Sequence, residues 1–254
     1  MAITYNGRSL GKAHDISIAV AFEDDSMAEF GAHSASKTPF KAHGFVGDVR
    51  EGGSCNCDMI TFSPHLHGTH TECVGHIVAD KVTVHEVLKD AFIPAQLVHI
   101  APQRSADCDE SYVPDLRPDD LLITKAALEN AVAHKNIPEA LIIRTGWEKN
   151  AGLPPFFSLE AMEYIVTQDV QHLLVDVPSI DRMDDDGHLA VHHIFWGVEQ
   201  GHHTLSGNKP STKTVTELIH VPESLKPGNY LLNLQVAAFA ADSAPSRPLL
   251  YELD

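Results

Sequence analysis

The chain has 254 residues, 43% hydrophobic and 21% charged, which excludes a disordered polymer and gives enough length for a sizeable core in one large domain or two small ones. Acidic residues outnumber basic ones by 35 to 18, a net charge of −17, and no Lys/Arg-rich run interrupts that balance. Such a surface excludes nucleic acid and anionic membranes as partners but leaves room for a small anionic ligand. No apolar run is long enough to span a bilayer and no signal peptide is visible at the N-terminus. Four irregularly spaced cysteines make no disulfide scaffold, so a reducing cytoplasm is the expected compartment.

In chain order, Asp15–Phe22 reads as an early buried strand and Glu23–Lys41 as an exposed loop. Gly44–Val49 and Cys57–Phe62 read as short strands around a Gly52-Gly53 turn, and a histidine-rich stretch follows at a strand end. Lys81–Leu88 is weakly helical, Ala95–Ile100 is a strand, and Gln103–Arg117 is a loop. Thr124 is an N-cap for a helix through about His134, with Ala127, Leu128, Ala131 and Val132 at helical spacing. Ala140–Arg144 is a strand closed by Thr145-Gly146-Trp147, and Ser158 caps a helix of roughly ten residues. His172–Val177, Val215–Val221, Tyr230–Ala238 and Leu249–Leu253 are the later strands, with a tight acidic turn at Asp184–Gly187. Strands outnumber helices in mixed order, which predicts one α/β or α+β domain with an extensive sheet.

Within Ser63–His76, four histidines (His65, His67, His70, His76), Glu72 and Cys73 fall within twelve residues. Imidazole, carboxylate and thiolate are the usual ligands of zinc and its neighbours. His70 and Glu72 are two apart, so an extended segment projects both from one side. His76 lies beyond Gly75, whose backbone freedom allows a turn back toward them. A closed structural zinc site ordinarily carries several cysteines, whereas mixed nitrogen and oxygen donors favour a catalytic ion with an open position. A nearby non-ligand histidine then serves as general acid/base.

The same stretch resembles the H-x-G-T-H-x-D-x-P-x-H signature of the cyclase family of metal-dependent hydrolases, which includes kynurenine formamidase-like enzymes. Gly68-Thr69-His70 match directly and His76 falls on the last histidine, while Glu72 stands for Asp, Val74 for Pro and Leu66 for the first His. Asp15-Ile16-Ser17, Ile143–Trp147, Asp176–Asp181, His192-His193, Leu225–Tyr230 and Ala244–Arg247 resemble further family segments in order. The resemblance implies a single domain over 1–254 with a swivelling β/β/α type of fold and an extensive mixed sheet. It implies a divalent metal, zinc before manganese, as one or two ions, and a homo-oligomer, dimer or tetramer, acting on a small-molecule substrate.

Carried over by position, the resemblance makes His70, Glu72, His192 and Glu217 metal ligands, with His193 competing for the place of His192, and makes His76 the general acid/base. His65 is the replacement for the missing first ligand at Leu66, with His67 as its rival or a substrate contact. The implied reaction is attack of a metal-bound hydroxide on the carbonyl of an amide or cyclic amide, in the manner of an arylformamidase. A member that binds metal or ligand without turnover, or a lyase or cyclising enzyme, is the alternative.

Other residues carry weaker signals. Trp147 and Trp196 are candidates for an apolar substrate wall, with core packing as the competing role. Cys73 is a minor ligand candidate, and Cys57 is expected to be buried. His188, His202 and His203 are expected to face solvent. Asp184–Asp186 reads as a solvated turn ahead of a calcium site.

Overall fold

The structure, a computed structural model, describes residues 4–24, 29, 31–132, 137–149, 152–205, 207 and 209–253. In chain order they form β1 (Thr4–Tyr5), β2 (Arg8–Asp15), β3 (Ser36–Pro39), β4 (Lys41–Ala42), β5 (Phe45–Val46), β6 (Asp58–Thr61), β7 (His70–Cys73), α1 (Val84–Val87) and β8 (Phe92–His99). Next come β9 (Gln103–Arg104), β10 (Leu121–Ile123), α2 (Lys125–Val132), β11 (Ala140–Arg144), β12 (Phe156–Phe157), α3 (Leu159–Thr167), β13 (His172–Val175) and α4 (Ala190–Trp196). The last strands are β14 (Thr214–Glu217), β15 (Gly228–Asn233), β16 (Ser243–Pro245) and β17 (Leu249–Leu253).

The chain divides into two compact units, Met1–Ile18 with Thr69–Asp254, and Ala19–Gly68. The larger unit is built on a ten-stranded mixed sheet in the order β1-β2-β17-β15-β8-β11-β13-β14-β7-β16. Its centre is parallel, from β8 through β11 and β13 to β14, and the flanking pairs are antiparallel. Ala140–Arg144 shows why: a continuous apolar run suits a parallel strand covered on both faces. Leu141 and Ile143 join the principal core, Ala140 and Ile142 the opposite one. Helices cover the first face. Leu128 and Val132 of α2, Ala161, Met162 and Ile165 of α3, and Val191, Phe195 and Trp196 of α4 pack there. Ser158 caps α3, its hydroxyl accepting from the Ala161 N–H at 3.0 Å.

The smaller unit holds two two-stranded pairs, β3 with β6 and β4 with β5. None of its described residues belongs to the hydrophobic core clusters, and Phe40, Phe45, Val49, Met59 and Ile60 are exposed.

The large mixed sheet and the helix–strand mixture agree with the sequence-based expectation, and β11 and β17 match it residue for residue. Several local expectations are corrected. Strand β2 ends where the early strand was expected to begin, and Ile16–Phe22 makes only isolated bridges at Ser17 and Phe22. Strands β5 and β6 do not pair with each other; each has its own partner upstream. The histidine stretch follows strand β6, as expected, and itself contains a further strand, β7. Cys57 is exposed because it leads into a ribbon of two strands with no sheet laid over it. The end of the α2 expectation at His134 lies outside the described residues.

Candidate metal centre

Strand β7 is buried along its whole length, which for a His-Thr-Glu-Cys sequence demands that each polar group find a partner. Antiparallel pairing sets Glu217 of β14 opposite His70 and Val215 opposite Glu72. Directly opposed residues share a face, so His70, Glu72 and Glu217 converge on the side of the principal core. Thr71 and Thr216 point the other way, their hydroxyls 2.8 Å apart. One ligand atom from each of His70, Glu72 and Glu217 lies within 4.8 Å of the other two, all three residues buried. His70 Nε2 is 3.3 Å from Glu217 Oε2.

Helix α4 adds His192. Its Nε2 lies 2.9 Å from Glu72 Oε1 and 3.8 Å from Glu217 Oε1. Its Nδ1–H donates to Asp181 Oδ2 at 2.5 Å. Burial alone would push the imidazole pKa down; the hydrogen bonds to Asp181 and Glu72 outweigh it and hold the pKa well above the ordinary histidine value. Asp181 is buried too, which would raise its pKa, but its bonds to His192 and Tyr112 keep the carboxyl below its usual range. Its neighbour His193 turns away, Nδ1 donating to Val198 O at 3.2 Å. Adjacent helix positions are about 100° apart around the axis, so only one of the two histidines reaches the carboxylates.

His76 closes a 3-10 turn over Val74–His76, with Nδ1 3.8 Å from Glu72 Oε2 and 3.4 Å from Asp242 Oδ2. Gly75 makes this turn possible, because a Cβ there would stand 2.2 Å from the Val82 carbonyl oxygen. The His76 side chain is 27% exposed, unlike the ligand candidates behind it. Trp196 flanks both rings, 5.3 Å from His192 and 6.5 Å from His76, and donates its Nε1–H to Lys213 O.

Trp147 sits half-buried on the turn after β11, its Nε1–H directed to Gly152 O. His65 and Leu66 lie half-buried on a 3-10 turn of the smaller unit. His67 has both ring nitrogens on the backbone of that same unit, at Ser63 and at His33 O. Cys73 faces away from Glu72 on β7 and packs with Val84 and Ala244. Burial pushes its thiol up to about 12, in keeping with that packed position. His188, His202 and His203 are exposed. In the acidic turn, Asp185 accepts from the Gly187 and Leu189 N–H groups and Asp184 pairs with Arg117.

The donor set fits a divalent cation. Glu72, Glu217 and Asp181 bring three buried carboxylates against two imidazoles, and uncompensated negative charge away from water is costly. Mixed imidazole and carboxylate donors suit zinc and manganese alike.

This arrangement is a candidate centre for a divalent metal, carried by neighbouring sheet strands and one helix. A family model described as "Putative cyclase" matches residues 14–182. The chain is 27% identical over 209 residues to a kynurenine formamidase of Bacillus cytotoxicus, covering 80% of this chain and 83% of the relative. A kynurenine formamidase of Bacillus cereus is 26% identical over 219 residues, covering 84% and 88%. Among solved structures, isatin hydrolase A from Labrenzia aggregata superposes with a TM-score of 0.66 at 16% identity, covering 96% of this chain and 94% of that one. A predicted metal-dependent hydrolase from Bacillus stearothermophilus gives 0.58 at 15% identity, covering 94% and 98%. The chain belongs to the cyclase family of metal-dependent hydrolases.

Proposed function

We propose that the protein hydrolyses a carbon–nitrogen bond outside peptides, in a small aryl formamide or cyclic amide. The observation that carries this reading is the convergence of buried His70, Glu72 and Glu217 with His192 beside them and the half-exposed His76 at the rim. The kynurenine formamidases and isatin hydrolase to which the chain is similar support the choice of bond. His70, Glu72, Glu217 and His192 would hold one divalent cation, zinc or manganese. When bound, such a cation polarises a carbonyl and lowers the pKa of water.

The remaining work falls to side chains. His76 has Nδ1 3.4 Å from Asp242 Oδ2 and 3.8 Å from Glu72 Oε2, which supports Nε2 as the nitrogen that would move the proton. At Nε2 it takes a proton from water as the carbonyl carbon is attacked and returns it to the departing nitrogen. Trp196 supplies an apolar wall beside both rings, suited to an aromatic substrate.

The test uses protein loaded with zinc or manganese, offered N-formylated anilines and isatin-type cyclic amides. Products should gain the mass of one water. His76→Ala should lose about 10²–10⁴-fold in kcat while binding metal at the wild-type stoichiometry. Turnover of neither substrate class by loaded wild-type protein removes the proposed activity, and full-rate turnover by the variant removes His76 from it.

The same reading includes a homo-oligomer. Among the described residues, five of the nine exposed large hydrophobic side chains lie in the fifty-residue unit Ala19–Gly68, a concentration that a second copy would cover. Sedimentation should show a dimer or tetramer that Met59→Asp with Ile60→Asp weakens; a wild-type monomer at micromolar concentration rejects the assembly. All four cysteines are free thiols, which suits a reducing cytoplasm.

A further inference from the structure

Behind His192 stands a buried chain of hydrogen bonds that the proposed chemistry does not use. The Asp181 carboxylate takes four donors: Tyr112 O–H at 2.7 Å and Val191 N–H at 2.8 Å on Oδ1, His192 N–H at 3.0 Å and His192 Nδ1–H at 2.5 Å on Oδ2. Tyr112 in turn accepts from the Arg182 N–H at 3.0 Å. That acceptance fixes direction: the phenol has one proton, and with Arg182 donating to its oxygen, the proton goes to Asp181. The ring cannot drift either. It packs edge-on against Phe156 with centroids 4.7 Å apart, and the Arg182 guanidinium lies 5.4 Å from its centroid. Tyr112, Asp181 and His192 are all buried.

We propose that Asp181 and Tyr112 are positioning residues of the metal centre, Asp181 fixing the tautomer and rotation of His192 and Tyr112 fixing the rotation of Asp181. This inference rests on the reading of His192 as a ligand. A histidine that donates Nδ1–H to a carboxylate can offer only Nε2 as a lone pair, and Nε2 is the atom that faces Glu72 and Glu217. The two backbone N–H groups of α4 hold the same carboxylate, so the rotation of Asp181 and the placement of the helix that carries His192 are tied together. With the phenolic proton gone, Oδ1 keeps only the Val191 N–H, and the carboxylate plane loses one of the contacts that set it.

The test compares wild type, Tyr112→Phe, Asp181→Asn and the double variant as metal-free proteins. Zinc affinity is read by competition with a chromophoric chelator, ligand geometry by the visible absorption of the cobalt-substituted protein, and folding by the metal-free Tm. Asp181→Asn should weaken zinc by about 10–100-fold, the range for losing a ligand's outer partner, and Tyr112→Phe by up to about 10-fold, both with altered cobalt bands. In the Asp181→Asn background, adding Tyr112→Phe should change zinc affinity little further, because the phenol acts through the carboxylate. Wild-type affinity and wild-type cobalt bands in Tyr112→Phe overturn the role of Tyr112, even with a lowered metal-free Tm, since the loss is then one of packing alone. Full additivity in the double variant overturns it as well. Wild-type protein that binds neither zinc nor cobalt removes the metal reading itself, whereas tight binding equal in all four proteins removes only the positioning roles.

Discussion

His172 and His192 are both buried, yet their neighbours drive them in opposite directions. His172 has the Thr214 hydroxyl at 2.8 Å on Nδ1, and burial lowers its pKa to about 4. His192 has carboxylates on both nitrogens and is raised. For His172 the consequence is a pH-dependent stability. The unfolded chain binds the proton near pH 6.5 and the folded one only near 4, so stability falls as pH drops through that window. From pH 7 to 5 this histidine alone should cost about 2 kcal/mol. Urea unfolding of wild type and His172→Gln checks it: the gap between them should narrow, or change sign, by that amount on acidification. A gap constant from pH 7 to 5 refutes the argument. At this scale the sequence is legible where spacing alone places a group. The two-residue step from His70 to Glu72 puts both on one face of a strand, and the structure has them there. It is illegible where a three-dimensional neighbour decides. Nothing local separates His192 from His193, and Tyr112 and Asp242 come from loops distant in sequence from the residues they touch.

At the scale of elements, the legible ones are those whose residues meet the same environment along their length. Strand β11, covered on both faces, reads as a bare apolar run, and α3 announces itself through Ser158. Helix α4 does neither. It has seven residues, it begins after Leu189 at φ 46°, and no side chain adjacent to it caps it. Its first amides are satisfied by Asp181, about ten residues upstream, the same carboxylate that holds His192. Capping of this kind is tertiary, so local propensity cannot report it. Strand β2 fails to show itself for a related reason. Arg8–Asp15 is a polar segment next to the two-residue edge strand β1, stranded because β17 offers it a ladder, while the apolar Ile16 goes to the core without a strand around it. Strand β16 is three residues long and exists as a strip along β7. Helix α4 and strand β16 border the centre, and the reason they are hidden is common to both: a site is assembled from pieces stabilised by one another.

At the scale of the whole molecule, the net charge of −17 and the carboxylates of the centre bear on stability together. An acidic chain resists compaction through self-repulsion, and Glu72, Glu217 and Asp181 place part of that charge where water cannot screen it. A divalent cation bound by the folded chain and not by the unfolded one removes this opposition by mass action. At free metal about 100 times the dissociation constant the gain is about 2.7 kcal/mol. In a chain of 254 residues each kcal/mol moves the midpoint by about 2–4 °C, so stripping the metal should lower Tm by about 5–10 °C. The fall should be reversed by stoichiometric zinc or manganese. It should also be absent from Glu72→Ala with Glu217→Ala, which has lost the donors and also the buried repulsion, so that its metal-free form should melt closer to its metal-treated form than wild type does. Chelator-treated wild type that melts at the same temperature with and without either ion contradicts this linkage, since a cation seated among buried carboxylates cannot bind the folded state without stabilising it.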